Sequence, residues 1–322
     1  MQNKTGLIAD IGATNARFAL ANAQGYFNEK ILKCADYLGP VEAAQAYLNM
    51  VKPEETLRAA SIAIAGAVIG DRIAMVNNHW DFSIEATRKA LGFERFTLMN
   101  DFKAIALAIP HLKAQGVRQT GEGKARMHAP IGVIGPGTGL GVASLVWDGA
   151  RYIAVPGEGG HVTMPPVTSR EFDLFQTMIR EKGYHHISAE RVSSGKGLVN
   201  VYNALRALDG RDDLPERTPE EISRAALDGS CPLCKEALTM MIAFLGRIAG
   251  NLALTLGAHG GIYIAGGIVR QLGEFFYRSD FRRQFLSKGR LEEYLAPIPT
   301  FVITHDFPAF VGLQADLMES VG

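Results

Sequence analysis

Apolar positions in this chain occur in short runs, and glycine-rich turns separate several of these runs. Residues 7–11 are apolar, residues 12–15 form a turn, and the apolar pattern resumes over 17–20, which predicts a strand, a turn and a second strand. Residues 131–134, a turn and residues 142–147 repeat this layout. The repetition predicts two domains of related design. A length of 322 residues agrees with this, at about 150 residues per domain.

The remaining segments alternate between strand patterns and helix patterns. Thr218, Pro219 and Glu221 form a capping box with proline at the first helical position, which predicts the start of a helix. Similar patterns predict strands over 61–68, 96–99, 262–265 and 301–304, and helices over 84–91, 102–109, 173–180, 233–256 and 309–318. Strands and helices that alternate in this way indicate an α/β fold.

The composition is that of an ordinary globular protein, with 47% hydrophobic and 20% charged residues. Its 33 basic and 33 acidic residues give zero net charge, which argues against a general nucleic-acid binder. Its 3 cysteines cannot build a disulfide framework, so we expect a reducing cytoplasm. Asp10 and Arg17 interrupt the first apolar stretch too early for a signal peptide.

One long apolar stretch, residues 248–269, carries no charge and is long enough to span a bilayer. It also contains Asn251, His259 and two glycine pairs. These residues divide the stretch into the end of a helix, a turn and a short strand. We therefore expect a segment of the protein core and no membrane partner.

The first glycine turn is a candidate phosphate site. Asp10 ends a strand, and Gly12, Ala13 and Thr14 form a turn whose N–H groups and hydroxyl can approach phosphate oxygens. Asp10 can hold Mg²⁺, directly or through water, because Mg²⁺ takes a few carboxylates together with phosphate. An ordinary hairpin turn is the alternative.

The second glycine turn has four glycines in residues 135–141, with Gly137 and Gly139 on either side of Thr138. Glycines let a backbone approach a ligand closely. The spacing matches neither the P-loop nor the dinucleotide-binding pattern. A strand on each side favours phosphate binding over a merely flexible turn.

Asn100 and Asp101 lie at the junction of a strand and a helix. Ligand sites in α/β sheets lie beyond the carboxyl ends of the strands. The positive end of the helix favours the ionised carboxylate of Asp101. The alternative is that Asp101 simply caps the helix.

Three further polar residues are candidates for a sugar site. Glycines place Glu158 and His161 on one exposed turn, and Glu190 follows in a polar segment. Carboxylate and amide groups form paired hydrogen bonds with neighbouring hydroxyls of a polyol. Solvated polar loops are the alternative, and a metal at His161 would lack fixed ligands nearby.

Two small motifs allow more than one interpretation. Gly266 and Gly267 separate a strand from a helix, where they can approach a base or ribose or allow tight helix–sheet packing. Cys231 and Cys234 have the spacing of half a zinc site, but only Cys34 remains elsewhere, so a site with two histidines is the zinc alternative. We do not expect a thioredoxin-like role, because the pair begins a long helix outside a βαβ unit.

Taken together, these motifs resemble those of the bacterial glucokinase family, within the sugar-kinase/actin-like superfamily. The resemblance covers nearly the whole chain and rests on Asp10-Ile-Gly-Ala-Thr-Asn-Ala-Arg17, Asn100-Asp-Phe102, Gly135-Pro-Gly-Thr-Gly-Leu-Gly141, Pro156-Gly-Glu-Gly-Gly-His161, Ala189-Glu-Arg191 and Ala265-Gly-Gly267. It implies a two-domain sugar-kinase/actin-like (ribonuclease H-like) α/β fold with an interdomain cleft. The small domain would comprise residues 1–110 joined by a C-terminal helix at 301–322, and the large domain residues 111–300.

The resemblance implies ATP-dependent phosphorylation of D-glucose at the 6-hydroxyl, which feeds glycolysis, in a cytoplasmic homodimer. Asp101 would be the catalytic base, with a pKa that can stay low because proton loss can come late in a loose transition state. Glucose would be bound by Asn100, Asp101, Glu158, His161 and Glu190. ATP would be contacted by Gly12, Ala13, Thr14, Gly137, Thr138, Gly139, Gly266 and Gly267, and Asp10 would position Mg²⁺.

The first motif departs from the family pattern at Ala13, where a second glycine is usual. Alanine tolerates positive φ poorly, so the turn would be strained if this position needed it. Residues 163–166 do not contain the Cys-rich zinc motif that follows the Gly-His segment in the related kinase–repressor family. That subgroup is therefore disfavoured.

Three alternatives remain at this point. A kinase for another hexose, such as mannose or N-acetylmannosamine, would share all the phosphate motifs. A sugar-sensing repressor is disfavoured by zero net charge and by the lack of an N-terminal helix-turn-helix pattern. An actin-like filament protein would keep the nucleotide turns but would not need Glu158, His161 and Glu190.

Overall fold

The structure, a computed structural model, describes residues 5–75 and 78–321. Its strands are β1 (Gly6–Ile11), β2 (Asn15–Asn22), β3 (Gly25–Lys33), β4 (Ala59–Ile64), β5 (Arg72–Ala74), β6 (Asp81–Ser83), β7 (Arg95–Asn100), β8 (Val117–Thr120), β9 (Ile131–Pro136), β10 (Leu140–Trp147), β11 (Tyr152–Gly157), β12 (Ile262–Ile264) and β13 (Thr300–Ile303). Its helices are α1 (Pro40–Val51), α2 (Ile84–Ala90), α3 (Asp101–Ala108), α4 (Ser169–Lys182), α5 (Gly195–Leu208), α6 (Pro219–Leu227), α7 (Pro232–Leu256), α8 (Gly267–Leu272), α9 (Glu274–Tyr277), α10 (Phe281–Leu286), α11 (Glu292–Leu295) and α12 (Pro308–Val321). The predicted α/β class is confirmed.

The chain divides into two compact units. Unit 1 contains the chain up to Lys113 and from His305 onward, and unit 2 contains Ala114–Thr304. Strand β13 belongs to unit 2, so the segment 301–303 is part of a sheet rather than of the C-terminal helix. This agrees with the strand predicted over 301–304, whereas the domain bounds that the resemblance implied began the C-terminal helix at 301.

The sheet of unit 1 has the strand order β3-β2-β1-β4-β7. The pairs β3–β2 and β2–β1 are antiparallel, whereas β1–β4 and β4–β7 are parallel. In the parallel part, Ile11 lies beside Ile64, and Ile64 lies beside Asn100. The strand ends that precede the first glycine turn and helix α3 therefore meet at one edge of the sheet.

The larger sheet of unit 2 repeats this arrangement, with the order β11-β10-β9-β12-β13-β8. The pairs β11–β10 and β10–β9 are antiparallel, and β9–β12 and β12–β13 are parallel. The repeated strand–turn–strand layout predicted for the two halves is thus confirmed. The first glycine turn joins β1 and β2, and the second joins β9 and β10.

Helix α7 is the central core element of unit 2. It is long and apolar enough to cross a membrane by length and composition, but 72% of its 18-residue apolar segment is buried inside the protein. Its buried residues, among them Met241, Phe244 and Ile248, join a hydrophobic cluster with α4 and α5. Residues 248–269 indeed form the end of a helix, a turn, a short strand and the start of α8.

Helix α12, at the C-terminal end of the chain, packs against α3 and the sheet within unit 1. A Cβ atom on Gly312 would lie 1.8 Å from the carbonyl oxygen of Ala104 in α3, so only glycine allows this approach. The hydroxyl of Ser61 donates a hydrogen bond of 2.7 Å to Asp316. Phe310 and Leu313 are buried in the same interface with α3 and the sheet.

Several helix ends follow directly from the sequence. The side chain of Ser83 accepts a hydrogen bond from the N–H of Ala86 at the start of α2. Thr218 and Glu221 form the predicted capping box of α6. Helix α5 was not expected, although Ser194 caps its N-terminus in the usual way. This helix contributes to the site described next.

Candidate active site

Helix α3 begins at Asp101, and Asn100 is its N-cap. The Oδ1 atom of Asn100 accepts hydrogen bonds from the N–H groups of Phe102 and Lys103, at 2.9 and 3.2 Å. Its Nδ2 donates to the carbonyl oxygen of Gly66 at 3.1 Å and to Oδ1 of Asp101 at 3.0 Å. The capping function therefore belongs to Asn100, and the Asp101 carboxyl is not needed for it.

The amide of Asn100 uses its full hydrogen-bonding capacity within the protein. The two hydrogens on Nδ2 are donated to two different acceptors, and Oδ1 accepts two hydrogen bonds. A direct hydrogen bond from Asn100 to a sugar would require one of these to be given up. Within the protein, the amide of Asn100 thus holds the carboxyl group of Asp101.

Asp101 lies in surroundings that oppose its ionisation. Burial raises its pKa to about 7, the charge of Asp10 adds to this, and the N–H of Phe102 and the amide of Asn100 act in the opposite direction. The sequence-based expectation of a low pKa, with the ionised form favoured by the helix terminus, is therefore wrong. Desolvation and a second carboxylate outweigh the helix N-terminus.

The second carboxylate oxygen of Asp101, Oδ2, has no donor among the residues that the structure describes. No hydrogen bond to Oδ2 is found within residues 5–75 and 78–321, whereas Oδ1 accepts from Phe102 and Asn100. A carboxyl group with a pKa near neutrality and one free oxygen has the properties of a general base.

Asp10, at the end of β1, pairs with Arg17 on the neighbouring strand. The two residues are register partners, and Nη1 of Arg17 lies 3.6 Å from Oδ2 of Asp10. Burial raises the pKa of Asp10, and the charge of Arg17 opposes this. Arg17 thus partly balances a carboxylate that lies near Asp101.

The first glycine turn is unstrained. Residues with positive φ other than glycine are Asn28, Lys52 and His128 in the part of the chain that the structure describes, so Ala13 does not have one. Gly12 likewise has no positive φ, and its N–H donates to the carbonyl oxygen of Asn15 at 2.9 Å. The methyl group of Ala13 is therefore accommodated without backbone strain.

Contacts from two other segments hold this turn in place. The N–H of Cys34 donates to the carbonyl oxygen of Thr14 at 2.8 Å, and its thiol donates to that of Gly12 at 3.6 Å. The amide of Asn78 also donates to the carbonyl oxygen of Gly12, at 3.4 Å. The side chain of Thr14 is exposed. These bonds fix the carbonyl groups of the turn inside unit 1.

The second glycine turn lies at the mouth of a pocket of about 790 Å³ in unit 2. Gly137, Thr138 and Gly267 line it, as do Gly195 and Lys196 at the start of α5. The N–H of Gly137 donates to the carbonyl oxygen of Gly139, and the N–H of Gly195 donates to that of Gly137. The turn and the helix N-terminus are thus joined by the backbone.

The neighbouring glycines have different roles. Gly267 lines the pocket, whereas a Cβ atom on Gly266 would lie 2.4 Å from the carbonyl oxygen of Pro136. Gly266 also has a φ of +97°. It therefore serves close packing between β9 and the start of α8. The packing interpretation is thus confirmed for Gly266, whereas the approach of Gly267 to a base or ribose stays a prediction.

Sequence reasoning missed most of the α5 and α6 residues around this pocket. Lys196 follows the N-cap of α5, and Ser223 and Arg224 lie on α6. The Ser194-Gly195-Lys196-Gly197 segment was the available signal, because two glycines flank a lysine directly after a helix cap. The pocket is therefore lined by the basic side chains Lys196 and Arg224 and the acidic side chains Glu220 and Asp228, in addition to the glycines.

Glu158 and His161 lie side by side on the turn after β11. Nε2 of His161 is 3.8 Å from Oε2 of Glu158, and their side chains are 60% and 66% exposed, respectively. A Cβ atom on Gly160 would lie 2.1 Å from the carbonyl oxygen of Leu140. The glycine thus lets this turn lie directly on β10 while both polar side chains stay accessible.

Glu190 connects this turn with the second glycine turn. Its N–H donates to the carbonyl oxygen of Gly160 at 2.8 Å, and its Oε2 accepts from the N–H of Leu140 at 2.9 Å. A Cβ atom on Gly139 would lie 2.4 Å from that same Oε2. Gly139 therefore provides room for a carboxylate rather than lining the pocket.

No group of three or more His, Cys, Asp or Glu side chains that could hold a metal ion occurs within the described residues. Neither the Cys231–Cys234 pair nor His161 belongs to such a group in those residues. The lack of such a group remains compatible with Mg²⁺ at Asp10, because Mg²⁺ takes most of its ligands from phosphate and water.

Comparison with known proteins gives a consistent result. The model of the family described as Glucokinase matches residues 7–320. A glucokinase from Paramagnetospirillum magneticum is 46% identical over 309 residues, which is 95% of each chain. A glucokinase from Aromatoleum aromaticum is 48% identical over 313 residues, which is 97% of this chain and 94% of that one.

Solved structures show the same relationship. The crystal structure of a glucokinase from an Antarctic psychrotroph has a TM-score of 0.88 and 32% identity, and the match covers 99% of this chain and 100% of that one. A glucokinase of the ROK family from Streptomyces griseus shares the actin-like fold, with a TM-score of 0.65 at 18% identity and coverage of 98% and 99%. By its family match and its relatives, the chain belongs to the glucokinase family.

Proposed function

We propose that this protein transfers the γ-phosphoryl group of ATP to the 6-hydroxyl of D-glucose, and that the product, glucose 6-phosphate, feeds glycolysis in the cytoplasm. The glucokinase family supports the reaction. The observation that carries the mechanism is the carboxyl of Asp101, whose pKa is raised to about 7 at the start of α3. An acid with this pKa changes its protonation state in the working pH range.

Asp101 acts as the general base in this proposal. The 6-hydroxyl oxygen forms a bond to the γ-phosphorus, the bond from that phosphorus to the bridging oxygen breaks, and ADP leaves. Asp101 takes the hydroxyl proton. Asn100 fixes the carboxylate through its hydrogen bond to Oδ1, which leaves Oδ2 for the substrate.

Glucose is bound by Glu158, His161 and Glu190, together with Asp101. Adjacent carboxylate and imidazole groups 3.8 Å apart can accept and donate hydrogen bonds to neighbouring hydroxyls. Glu190 is fixed by Leu140 through one oxygen. Asn100 contributes by holding Asp101 and would bind the sugar directly only after exchange of one of its own hydrogen bonds.

ATP is bound by the two glycine turns. Gly12, Ala13 and Thr14 offer N–H groups and a hydroxyl from the first turn, and Gly137, Thr138 and Gly139 form the second. The pocket beside Thr138 and Gly267 has a volume that suits a nucleoside. Lys196 at its edge supplies a positive charge for phosphate oxygens. Gly266 supports the pocket by close packing.

Asp10 is the residue that would hold Mg²⁺, directly or through water. Bound Mg²⁺ neutralises phosphate charge and orients the phosphates. Burial raises the pKa of Asp10, and the charge of Arg17 favours the ionised carboxylate against it. We also propose a homodimer, as the family resemblance implies, which light scattering of the purified protein would test.

Another hexose, such as mannose or N-acetylmannosamine, is the alternative substrate. The test is release of ADP from Mg-ATP with a panel of hexoses and a blank without sugar. We expect release that depends strongly on glucose, with a higher kcat/KM for glucose than for the other hexoses. Slow release that is indifferent to every sugar would contradict the sugar site.

A further inference from the structure

Two buried cysteines at the start of α7 form a close pair that the phosphoryl-transfer reaction does not use. Cys231 is the N-cap of the helix, and its sulfur accepts a hydrogen bond from the N–H of Cys234 at 3.4 Å. The thiol of Cys234 also forms a hydrogen bond with Cys231. Both thiols are free. The sulfur atoms are therefore neighbours in the reduced protein.

The guanidinium group of Arg217 acts electrostatically on this pair. Arg217 interacts electrostatically with both cysteines and is hydrogen-bonded to Tyr202. Its Nε atom is buried and has no hydrogen-bond partner within the part of the chain that the structure describes. A negative charge on a neighbouring sulfur would compensate this cation. This is the kind of electropositive environment in which cysteines become nucleophilic.

The two thiols are unequal. Burial opposes ionisation of Cys231, yet the N–H of Cys234, the Cys234 thiol and the N–H of Leu233 together lower the pKa of Cys231. Burial and the hydrogen bond to Cys231 raise the pKa of Cys234. Cys231 is thus the attacking sulfur and Cys234 the thiol that keeps its proton.

We propose that Cys231 and Cys234 form a dithiol site that hydrogen peroxide oxidises reversibly to an intramolecular disulfide. The sulfur of the Cys231 thiolate attacks one peroxide oxygen, the O–O bond breaks, and hydroxide leaves. The sulfur of Cys234 then displaces the oxygen of the resulting sulfenic acid, an S–S bond forms, and the proton of Cys234 leaves with that oxygen as water. Two thiols lose two electrons, and peroxide is reduced to water.

Burial selects the oxidant. Cys231 is 5% exposed and Cys234 is 0% exposed. Peroxide is close to water in size and can reach such a sulfur, whereas a bulky disulfide reagent cannot. Cys34, which is 1% exposed, provides an internal comparison because it has no cysteine neighbour and burial raises its pKa. We therefore expect oxidation at the Cys231–Cys234 pair and not at Cys34.

The experiment exposes the folded protein to hydrogen peroxide, removes the peroxide, unfolds the chain in the presence of an alkylating reagent that blocks the remaining thiols, and maps the peptides by mass spectrometry. We expect the peptide with Cys231 and Cys234 to lose two hydrogens and both alkylation sites, and dithiothreitol to restore them. Cys34 should stay alkylatable. Equal oxidation of Cys34, or no disulfide at doses that leave the protein folded, would overturn the proposal.

Single variants test the order of the two sulfurs. After oxidation and unfolding in the presence of dimedone, Cys234→Ser should carry a dimedone adduct on Cys231, whereas Cys231→Ser should give no dimedone adduct at Cys234. Serine is a good N-cap residue, so Cys231→Ser should keep the start of α7. Cys34→Ser should leave the oxidation of Cys231 and Cys234 unchanged. A dimedone adduct on Cys234 in place of Cys231 would contradict the assignment.

Discussion

The side-chain amide of Asn100 donates a hydrogen bond of 3.0 Å to Oδ1 of Asp101, the next residue in the chain. The oxygen of the same amide caps helix α3, because it accepts hydrogen bonds from the N–H groups of Phe102 and Lys103. One residue thus starts the helix and orients the carboxyl group assigned as the base. This bond favours the ionised form of Asp101, against burial and the charge of Asp10.

Replacement of Asn100 should therefore alter the pH dependence of the reaction. Asn100→Ser keeps a good N-cap but removes the amide donor, so the pKa of Asp101 should rise further. The acidic limb of kcat/KM should then move to higher pH. A pH profile of the variant beside that of the unmodified chain measures this shift.

Asn100→Ala is the matched comparison. It removes both the donor and the cap, so it should show the same shift and in addition lose about 1 kcal/mol of stability. Thermal unfolding separates the two effects. An unchanged acidic limb in both variants would show that the Asn100–Asp101 bond does not influence the base.

The unmodified protein should lose activity as the pH falls. A base works in its deprotonated form, and the pKa of Asp101 is raised to about 7. The value of kcat/KM should therefore be constant above this pH and decrease about tenfold per pH unit well below it. Direct chromatography of ADP avoids coupling enzymes with their own pH dependence. A flat profile down to pH 5 would exclude this pKa for the base.

Glu158→Gln should weaken glucose binding. The substitution removes a charge from an exposed acceptor next to His161, which should raise the KM for glucose about tenfold, or ~1.4 kcal/mol. The KM for ATP should change little. Glu293→Gln, at an exposed acid on α11, is the control. Equal glucose affinity in both variants would remove Glu158 from the sugar site.

Lys196→Met should weaken ATP binding, because Lys196 lines the pocket beside Thr138. An exposed ammonium group is partly screened, so we expect an increase of about fivefold in the KM for ATP, or ~1 kcal/mol. The KM for glucose should stay constant. Lys235→Met, at an exposed lysine of α7, is the control. If both variants keep the ATP affinity of the unmodified chain, Lys196 does not contact the phosphates.

The sequence predicted the two strand–turn–strand units because their signals are local. Apolar runs of strand length and glycine turns are visible within a few residues, and the capping box at Thr218 is visible within four. Helix α5 as a whole was missed because its apolar pattern follows a Gly-Lys-Gly segment that is typical of a loop. For the same reason, Lys196 was not predicted as a residue of the pocket.

The raised pKa of Asp101 was not predictable in the same way. The helix terminus is local and favours ionisation of Asp101. Burial, in contrast, depends on the packing of the folded chain, and the charge of Asp10 belongs to a residue about ninety positions away along the chain. Gly139 illustrates the same limit. Its lack of a side chain serves Glu190, a contact that only the folded chain reveals.

Asp101→Asn tests the central claim most directly, because the amide keeps the size of the side chain and cannot accept the hydroxyl proton as a base. Turnover with saturating glucose and Mg-ATP would be measured together with glucose affinity by calorimetry on the same preparation. We predict a loss of kcat of at least about 10²-fold with glucose affinity nearly unchanged. Turnover close to that of the unmodified chain would contradict the assignment of Asp101 as the base.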